Sequence, residues 1–265
     1  MRLTLPDLRR IAGERRIAML TCYDASFAAV LDGAGIDSLL IGDSLGMVIQ
    51  GHDSTLPVSV EDIAYHTRAV ARGSRRALVI ADMPFGSYQV NPAQAFENAA
   101  RLLQAGAQMV KLEGGEEIAP TIEFMVERGV PVCGHVGLTP QHVNRFGGYR
   151  IQGRGQASQR IRADARAVER AGADMIVIEA VPEPLARAIA AESKTLTIGI
   201  GASAACSGQV LVLHDMLGVA TGKRPRFVKN FLQGAGSVEA AARAYLEQVG
   251  SGAFPGAEHV YADAN

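Results

Sequence analysis

The feature that most constrains this chain is a unit that recurs along it: a helical pattern, a glycine turn, a short apolar run, and a polar residue closing the run. The glycine turns are Ala34-Gly35-Ile36, Ala105-Gly106-Ala107, Arg128-Gly129-Val130 and Ala171-Gly172-Ala173, where glycine supplies the positive φ that ends a helix. The runs Ser38–Ile41, Ala77–Ala81, Met109–Leu112, Val130–Gly134 and Met175–Ile178 lead to Asp43, Asp82, Glu113, His135 and Glu179. Continuous apolar runs of this length read as parallel strands buried on both faces. One polar tip would be an accident, whereas five point to a shared site at one end of a sheet.

Strands are expected near 17–22, 38–42, 77–81, 109–112, 130–134, 175–178, 195–200 and 210–213. Helices are expected near 24–33, 60–72, 92–104, 116–128, 157–171, 183–192 and 237–248. Helix starts are legible in Ser59-Val60-Glu61-Asp62, which has the form of a capping box, and in Asn91-Pro92-Ala93-Gln94, which joins an N-cap to a proline at the first helical position. Only the connection between the seventh and eighth strands lacks a helical pattern. This alternation predicts an α/β protein with a (β/α)8 TIM barrel, and a doubly wound open sheet is the alternative. Residues 1–16 predict a short polar lead-in helix across the bottom. With 265 residues, 48% of them hydrophobic, the chain can bury one large core, so one domain over residues 1–265 is expected.

Charge narrows the function. A formal net charge of −1 offers no basic field for nucleic acid or an anionic membrane surface, which leaves a small-molecule site as the default. Cys22, Cys133 and Cys206 lie far apart without C-x-x-C spacing, so neither a zinc site nor a disulfide framework is indicated. The first ten residues are too charged for a signal peptide, and no apolar run approaches the ~18 residues of a membrane span. A reduced, cytoplasmic protein is the expectation.

Side chains at i, i+2 and i+4 of a strand share a face. Leu39, Ile41 and Asp43 therefore form one row, as do Leu78, Ile80 and Asp82; Met109, Lys111 and Glu113; and Met175, Val177 and Glu179. Neighbouring strands lie ~4.8 Å apart, so Asp43 and Asp82 can converge on one cation, and two hard oxygen ligands completed by water and substrate suit Mg2+. Either aspartate alone would read better as a helix N-cap; the pair on adjacent strands favours metal. Lys111 and Glu113 bring a cation and a third carboxylate beside it, with a buried salt bridge as the alternative. Glu179, across the barrel and mostly among apolar neighbours, has the setting of a general base. His135 is placed to contact substrate, although a histidine satisfied within the core is the commoner case. The loop Asn144–Gly155, rich in glycine and arginine, is a lid or plain surface, and its residues alone favour surface.

Two other signals carry less. Gly42-Asp43-Ser44-Leu45 matches a serine-esterase motif, but the Asp-x-x-His it requires is absent after residue 200. Gly199-Ile200-Gly201-Ala202-Ser203-Ala204 fits a loose dinucleotide fingerprint without the helix that should follow it.

Several strings together resemble the ketopantoate hydroxymethyltransferase family. They are Met19–Asp24, Gly42–Met47, Ser54–Val58, Asp82–Tyr88, Val110–Gly115, Gly134–Pro140, Gly147–Arg154 and Gly208–Val212, in order between about residue 15 and residue 231. The resemblance implies a (β/α)8 barrel that transfers a hydroxymethyl group from 5,10-methylenetetrahydrofolate to 3-methyl-2-oxobutanoate, giving 2-dehydropantoate for pantothenate biosynthesis. It implies Mg2+ held by Asp43 and Asp82 with Glu113 near the ion, a keto acid contacted by Asp43, Ser44, Asp82 and Lys111, and Glu179 as the base. A homo-oligomer is implied as well. The chain departs from the family's pattern at Ser203, where glycine is usual, and at Ser207, where Asp is usual, and both bear on the loop after the seventh strand. A lyase of the isocitrate lyase and phosphoenolpyruvate mutase type is the alternative enzyme, but its Lys-Lys-Cys-Gly-His string is absent. A barrel without activity, serving as a binding subunit, is the alternative outside enzymes.

Overall fold

The apolar runs pair in sequence order, each parallel to the next, and the eighth returns to the first. This closed barrel is seen in a computed structural model that describes residues 1–219 and 224–263. The last two residues of the Gly- and Ala-rich tail, for which the sequence indicates no element, lie outside the described residues. The strands are β1 (Ile17–Thr21), β2 (Ser38–Ile41), β3 (Leu78–Asp82), β4 (Met109–Glu113), β5 (Val132–Gly137), β6 (Met175–Glu179), β7 (Leu196–Ile200) and β8 (Gly208–Leu211). The helices are α1 (Leu5–Glu14), α2 (Ala25–Ala34), α3 (Leu45–Val48), α4 (Val60–Gly73), α5 (Pro92–Gln104), α6 (Ala119–Val126), α7 (Val143–Phe146), α8 (Ala157–Arg170), α9 (Glu183–Glu192), α10 (Leu213–Met216) and α11 (Val238–Ser251). Closure removes every sheet edge, so each strand finds backbone partners on both sides. The barrel and the inner faces of the helices share one continuous hydrophobic core.

Three differences from the expected elements have local causes. β5 starts at Val132 rather than at residue 130, because Pro131 has no N–H to give to a ladder. It then runs to Gly137, which places His135 within the strand rather than at its tip. The expected helix at 116–128 is a 3-10 turn, Glu116–Ile118, followed by α6, with Pro120 in the first α-helical turn where its missing N–H costs nothing. β8 begins at Gly208, two residues early, because a side chain there would come within 2.6 Å of the Ile17 carbonyl oxygen. Only a residue without Cβ can enter the ladder that close to β1.

The lead-in helix α1 buries Leu8 and Ile11 at the N-terminal end of the barrel. Leu3 N–H donates to Arg76 O at 2.6 Å, Gln108 Nε2 donates to Leu3 O at 3.1 Å, and Arg9 pairs with Asp174 at 3.1 Å. Arg76, Gln108 and Asp174 stand just before β3, β4 and β6, so α1 lies across the bottom. The buried Asp37 carboxylate is compensated at the same end by Arg15 at 2.8 Å and Arg76 at 3.3 Å. The opposite, C-terminal end is thereby left open for chemistry.

The approach of α4 to α2 is set by Gly73, where an added Cβ would lie 2.2 Å from the Ala25 carbonyl oxygen. Backbone cannot yield as a flexible side chain can, so Gly73→Ala should cost about 1–3 kcal/mol by overpacking. Gly13→Ala in α1 meets nothing within 4 Å and should instead hold or raise stability, because alanine is the better helix former. Thermal unfolding of the two variants checks the contrast; equal midpoints would remove the close approach as the reason for glycine at 73.

Candidate active site

The residues expected to meet at the C-terminal end do meet there. The barrel register sets Asp82 beside Lys111, Glu113 beside His135, and Gly137 beside Glu179. Asp43 lies one turn beyond β2, and its backbone N–H donates to Asp82 Oδ2 at 2.9 Å. Asp43, Asp82, Lys111, Glu113 and His135 are each 5% exposed or less, while the Glu179 side chain, at 15%, faces the opening.

Lys111 Nζ stands 2.7 Å from Asp82 Oδ1 and 3.8 Å from Glu113 Oε1. The buried salt bridge that was one alternative for Lys111 is therefore present, and it lies among the other candidate residues. His135 bridges two carboxylates, with Nδ1 3.3 Å from Glu113 Oε1 and Nε2 3.2 Å from Glu179 Oε2. Asp82 Oδ1, Glu113 Oε1 and His135 Nε2 all lack an aligned hydrogen-bond partner in spite of these short charge contacts. Their partners are the charge contacts just given, and each carboxylate oxygen keeps a lone pair free for a further ligand.

Burial pushes the Asp43 carboxyl well above its usual range, and the charges of Asp82 and Glu113 push it further. Burial opposes the Lys111 charge, but Asp82, Glu113 and Asp43 more than offset it and hold the ammonium protonated. Burial and Lys111 also oppose a charge on His135, yet its contacts with Glu113 and Glu179 raise its pKa to about 9. Four carboxyl groups thus share one ammonium and one imidazolium, and the cluster is short of positive charge. A hard divalent cation fits that shortage and the oxygen donors at hand. Among the described residues, no group of three or more His, Cys, Asp or Glu is arranged to hold a metal alone, so the ligand set would be two carboxylates with the rest from substrate and water.

Ser44 Oγ lies 2.8 Å from the Tyr23 hydroxyl, which fixes it at the head of α3. Glu179 is followed by Ala180, whose φ of 46° is the one positive value outside glycine among the described residues. A left-handed alanine is strained, and such strain persists where surrounding contacts enforce it. Here Ala180 N–H donates to Ile200 O at 2.9 Å and Leu138 N–H to Glu179 O at 2.9 Å, which pins the backbone behind the carboxylate.

Gln141 escaped the sequence reading. Its side-chain amide donates to Asp43 Oδ2 at 2.9 Å and to Met83 O at 3.0 Å, and its backbone N–H donates to Glu113 Oε2 at 2.9 Å. Tyr88 holds it in place through a 2.7 Å contact between its hydroxyl and Gln141 Oε1. Gln141 belongs to a 3-10 turn, where neither strand parity nor helical period points at a side chain; its place just after the Gly134–Pro140 string was the available signal. Ser203 and Ser207 tie the loop after β7 to neighbouring elements: Ser203 Oγ donates to Glu183 Oε1 of α9 at 2.8 Å, and Ser207 Oγ accepts from Thr197 N–H of β7 at 3.2 Å.

A family model described as ketopantoate hydroxymethyltransferase matches residues 2–257. A 3-methyl-2-oxobutanoate hydroxymethyltransferase of Dechloromonas aromatica is 60% identical over 98% of this chain and 96% of its own length. One of Burkholderia multivorans is 62% identical over 97% of this chain and 96% of its own length. Among solved structures, phosphonopyruvate hydrolase in complex with oxalate and Mg2+ superposes with a TM-score of 0.61 at 16% identity, over 82% of this chain and 83% of that one. Phosphoenolpyruvate phosphomutase of Streptomyces platensis gives 0.62 at 14% identity, over 82% and 83%. At those identities the likeness is one of fold.

Proposed function

The chain belongs to the ketopantoate hydroxymethyltransferase family, and from that premise we propose that it transfers a hydroxymethyl group from 5,10-methylenetetrahydrofolate to 3-methyl-2-oxobutanoate, yielding 2-dehydropantoate for pantothenate biosynthesis. The observation that carries this reading is the junction of two unlike groups at one barrel mouth. The Asp43–Asp82–Lys111–Glu113 cluster suits the polar end of a 2-oxo acid, and Glu179 stands beside it at the opening. In this reading the described barrel acts as one domain spanning residues 1–265.

Asp43 and Asp82 would hold Mg2+, with Glu113 near the ion and occupied by His135 and Gln141. Bound there, the ion would supply a Lewis acid that draws electrons from the keto oxygen and stabilises an enolate. The remaining work falls to the chain. Lys111 places a fixed ammonium where negative charge grows, without reorganisation at the moment of reaction. Ser44, steadied by Tyr23, binds the keto acid. Glu179, oriented by His135, removes the proton from C3 of the substrate, and the enolate carbon then forms a bond to the one-carbon unit of the folate. Overall, one water is consumed and tetrahydrofolate leaves.

Two consequences of the sequence reading remain part of this proposal: the protein works in the cytoplasm and assembles as a homo-oligomer. Among the described residues, no helix is long and apolar enough to cross a membrane. The direct test is an assay of purified protein with keto acid, methylenetetrahydrofolate and Mg2+. Formation of 2-dehydropantoate with matching release of tetrahydrofolate is the expected result, lost on chelation of the metal. Cleavage of a carbon–carbon bond in a 2-oxo acid without folate turnover would transfer the protein to the lyase reading.

A further inference from the structure

The segment between α7 and α8 leaves the β5 side of the barrel and reaches the β2 side. There the Tyr149 hydroxyl meets Met47 Sδ of α3 at 3.5 Å. In an eight-stranded barrel that contact spans the mouth. Gly147 and Gly148 at φ 65° and 117° bound the crossing residues on one side, and Gly153 at φ 79° bounds them on the other. Such backbone is open to glycine and strained for other residues. The near anchor is the Gly148 N–H bond to Val143 O at 3.0 Å, and the far anchor is Gln152 N–H to Ala180 O at 3.0 Å, next to Glu179. Among the described residues, the backbone N–H groups of Tyr149, Arg150 and Ile151 make no such bond. A cavity of about 250 Å³ lies against the two ends of the segment, lined there by Phe146, Gln152 and Gly153 and on its other sides by the loop after β4 and by α8. Between its backbone anchors the crossing is tied by side chains alone, the Tyr149 hydroxyl on Met47 and Gln152 Nε2, which donates to Arg150 O at 2.9 Å.

Tyr149 is 46% exposed. Its phenol is raised above the usual range by burial and by the charges of Asp43, Glu179 and Glu113, the groups of the site below. Glu179 is the site carboxylate with the greatest access to the opening.

We propose that Tyr149 is the gating residue of the reaction: its ring, landed on Met47, covers Glu179 and keeps the proton taken from C3 from exchanging with bulk water before the enolate is captured. This rests on the reading of the protein as an enolate-forming hydroxymethyltransferase. In the step concerned, the C3–H bond breaks, its electron pair enters the enolate, and its proton resides on Glu179. The pair then forms the new carbon–carbon bond, or takes back a proton from Glu179. If Glu179 has meanwhile traded its proton with solvent, the return delivers a solvent hydrogen. A closed crossing leaves the original hydrogen on Glu179, so a return through it restores the substrate without label. The single water consumed per turnover does not require an open mouth, because a half-exposed tyrosine limits exchange without sealing the site.

The test is a ratio. With both substrates in D2O, deuterium entering C3 of the recovered keto acid is compared with 2-dehydropantoate formed. In Tyr149→Ala the exchange-to-transfer ratio should rise several-fold, and Met47→Ala, which removes the landing point, should raise it in the same direction. Tyr149→Phe keeps the ring but loses the hydroxyl contact with Met47, so its ratio should lie between those of the wild type and the Ala variant. An unchanged ratio in both alanine variants, or a Phe variant as leaky as the Ala variant, overturns the assignment. A general loss of activity moves both rates together and leaves the ratio fixed, so a merely structural effect is told apart. Wild-type protein that gives neither exchange nor product would instead overturn the hydroxymethyltransferase reading itself.

Discussion

Glu179→Gln should slow exchange of the substrate C3 proton by ~10²–10⁴, the usual reach of general base catalysis. The measurement needs no folate, because enolate formation precedes carbon–carbon bond formation. Wild-type protein with Mg2+ and 3-methyl-2-oxobutanoate in D2O should collapse the methyl doublet in the proton NMR spectrum as deuterium replaces the proton that splits it. Glutamine keeps the size of the side chain and can still accept from His135 Nε2, which stands 3.2 Å from the Glu179 carboxylate, but it cannot take a proton. Keto acid binding should survive, since the proposed metal ligands stand on other strands. Exchange that persists in the variant would move the base elsewhere. His135 is the neighbouring candidate, but a histidine with its pKa raised to about 9 is already protonated at neutral pH and is a poor acceptor. The geometry therefore favours His135 as the residue that orients Glu179.

The barrel was legible because each of its determinants is local. The turns at Gly35, Gly106, Gly129 and Gly172 all have positive φ, as a glycine closing a helix before an apolar run requires. Strand parity was enough to gather Asp82, Lys111, Glu113 and Glu179, because register is a period-2 property and each of these residues lies within a strand. Where the chain leaves regular structure, that logic stops. Gln141 reaches Asp43 from 98 positions away through a turn, and no period in the sequence encodes such a meeting. Tyr149 is the same case, since its glycine-rich surroundings favour plain surface until the contact with Met47 is seen. Ser203 and Ser207 stood out by departing from the family's pattern. Only the structure shows that their hydroxyls are taken up by Glu183 and Thr197. Residues on strands, and Asp43 just beyond one, could thus be brought to one end of the barrel from the sequence, whereas Gln141 and Tyr149, deeper in the connections, could not.

Asp43→Asn and Asp82→Asn should each abolish the gain in keto acid affinity that Mg2+ confers, measured by calorimetry with and without the ion. Mg2+ gives up its water reluctantly and is held by few carboxylates, so the loss of one of two leaves too little charge to compete with hydration. The two variants are not equivalent. Asp82 is the closest partner of the buried Lys111 ammonium at 2.7 Å, and a buried charge deprived of its partner costs about 3–5 kcal/mol. Asp82→Asn can therefore lose affinity through the fold as well as through the metal, and its thermal midpoint has to be followed alongside. Asp43 is cleaner, because its Oδ2 accepts from the neutral Gln141 amide at 2.9 Å and an asparagine in the right rotamer keeps that bond. Without metal the Asp43 carboxyl is already pushed toward its neutral form by burial and by the charges of Asp82 and Glu113, so asparagine changes the metal-free charge little and binding of the anionic keto acid without metal should hold. The expected signature of Asp43→Asn is thus an unchanged midpoint, metal-free affinity equal to that of the wild type, and no further gain on adding Mg2+. A gain in both variants equal to that of the wild type would sink the placement of the ion between Asp43 and Asp82.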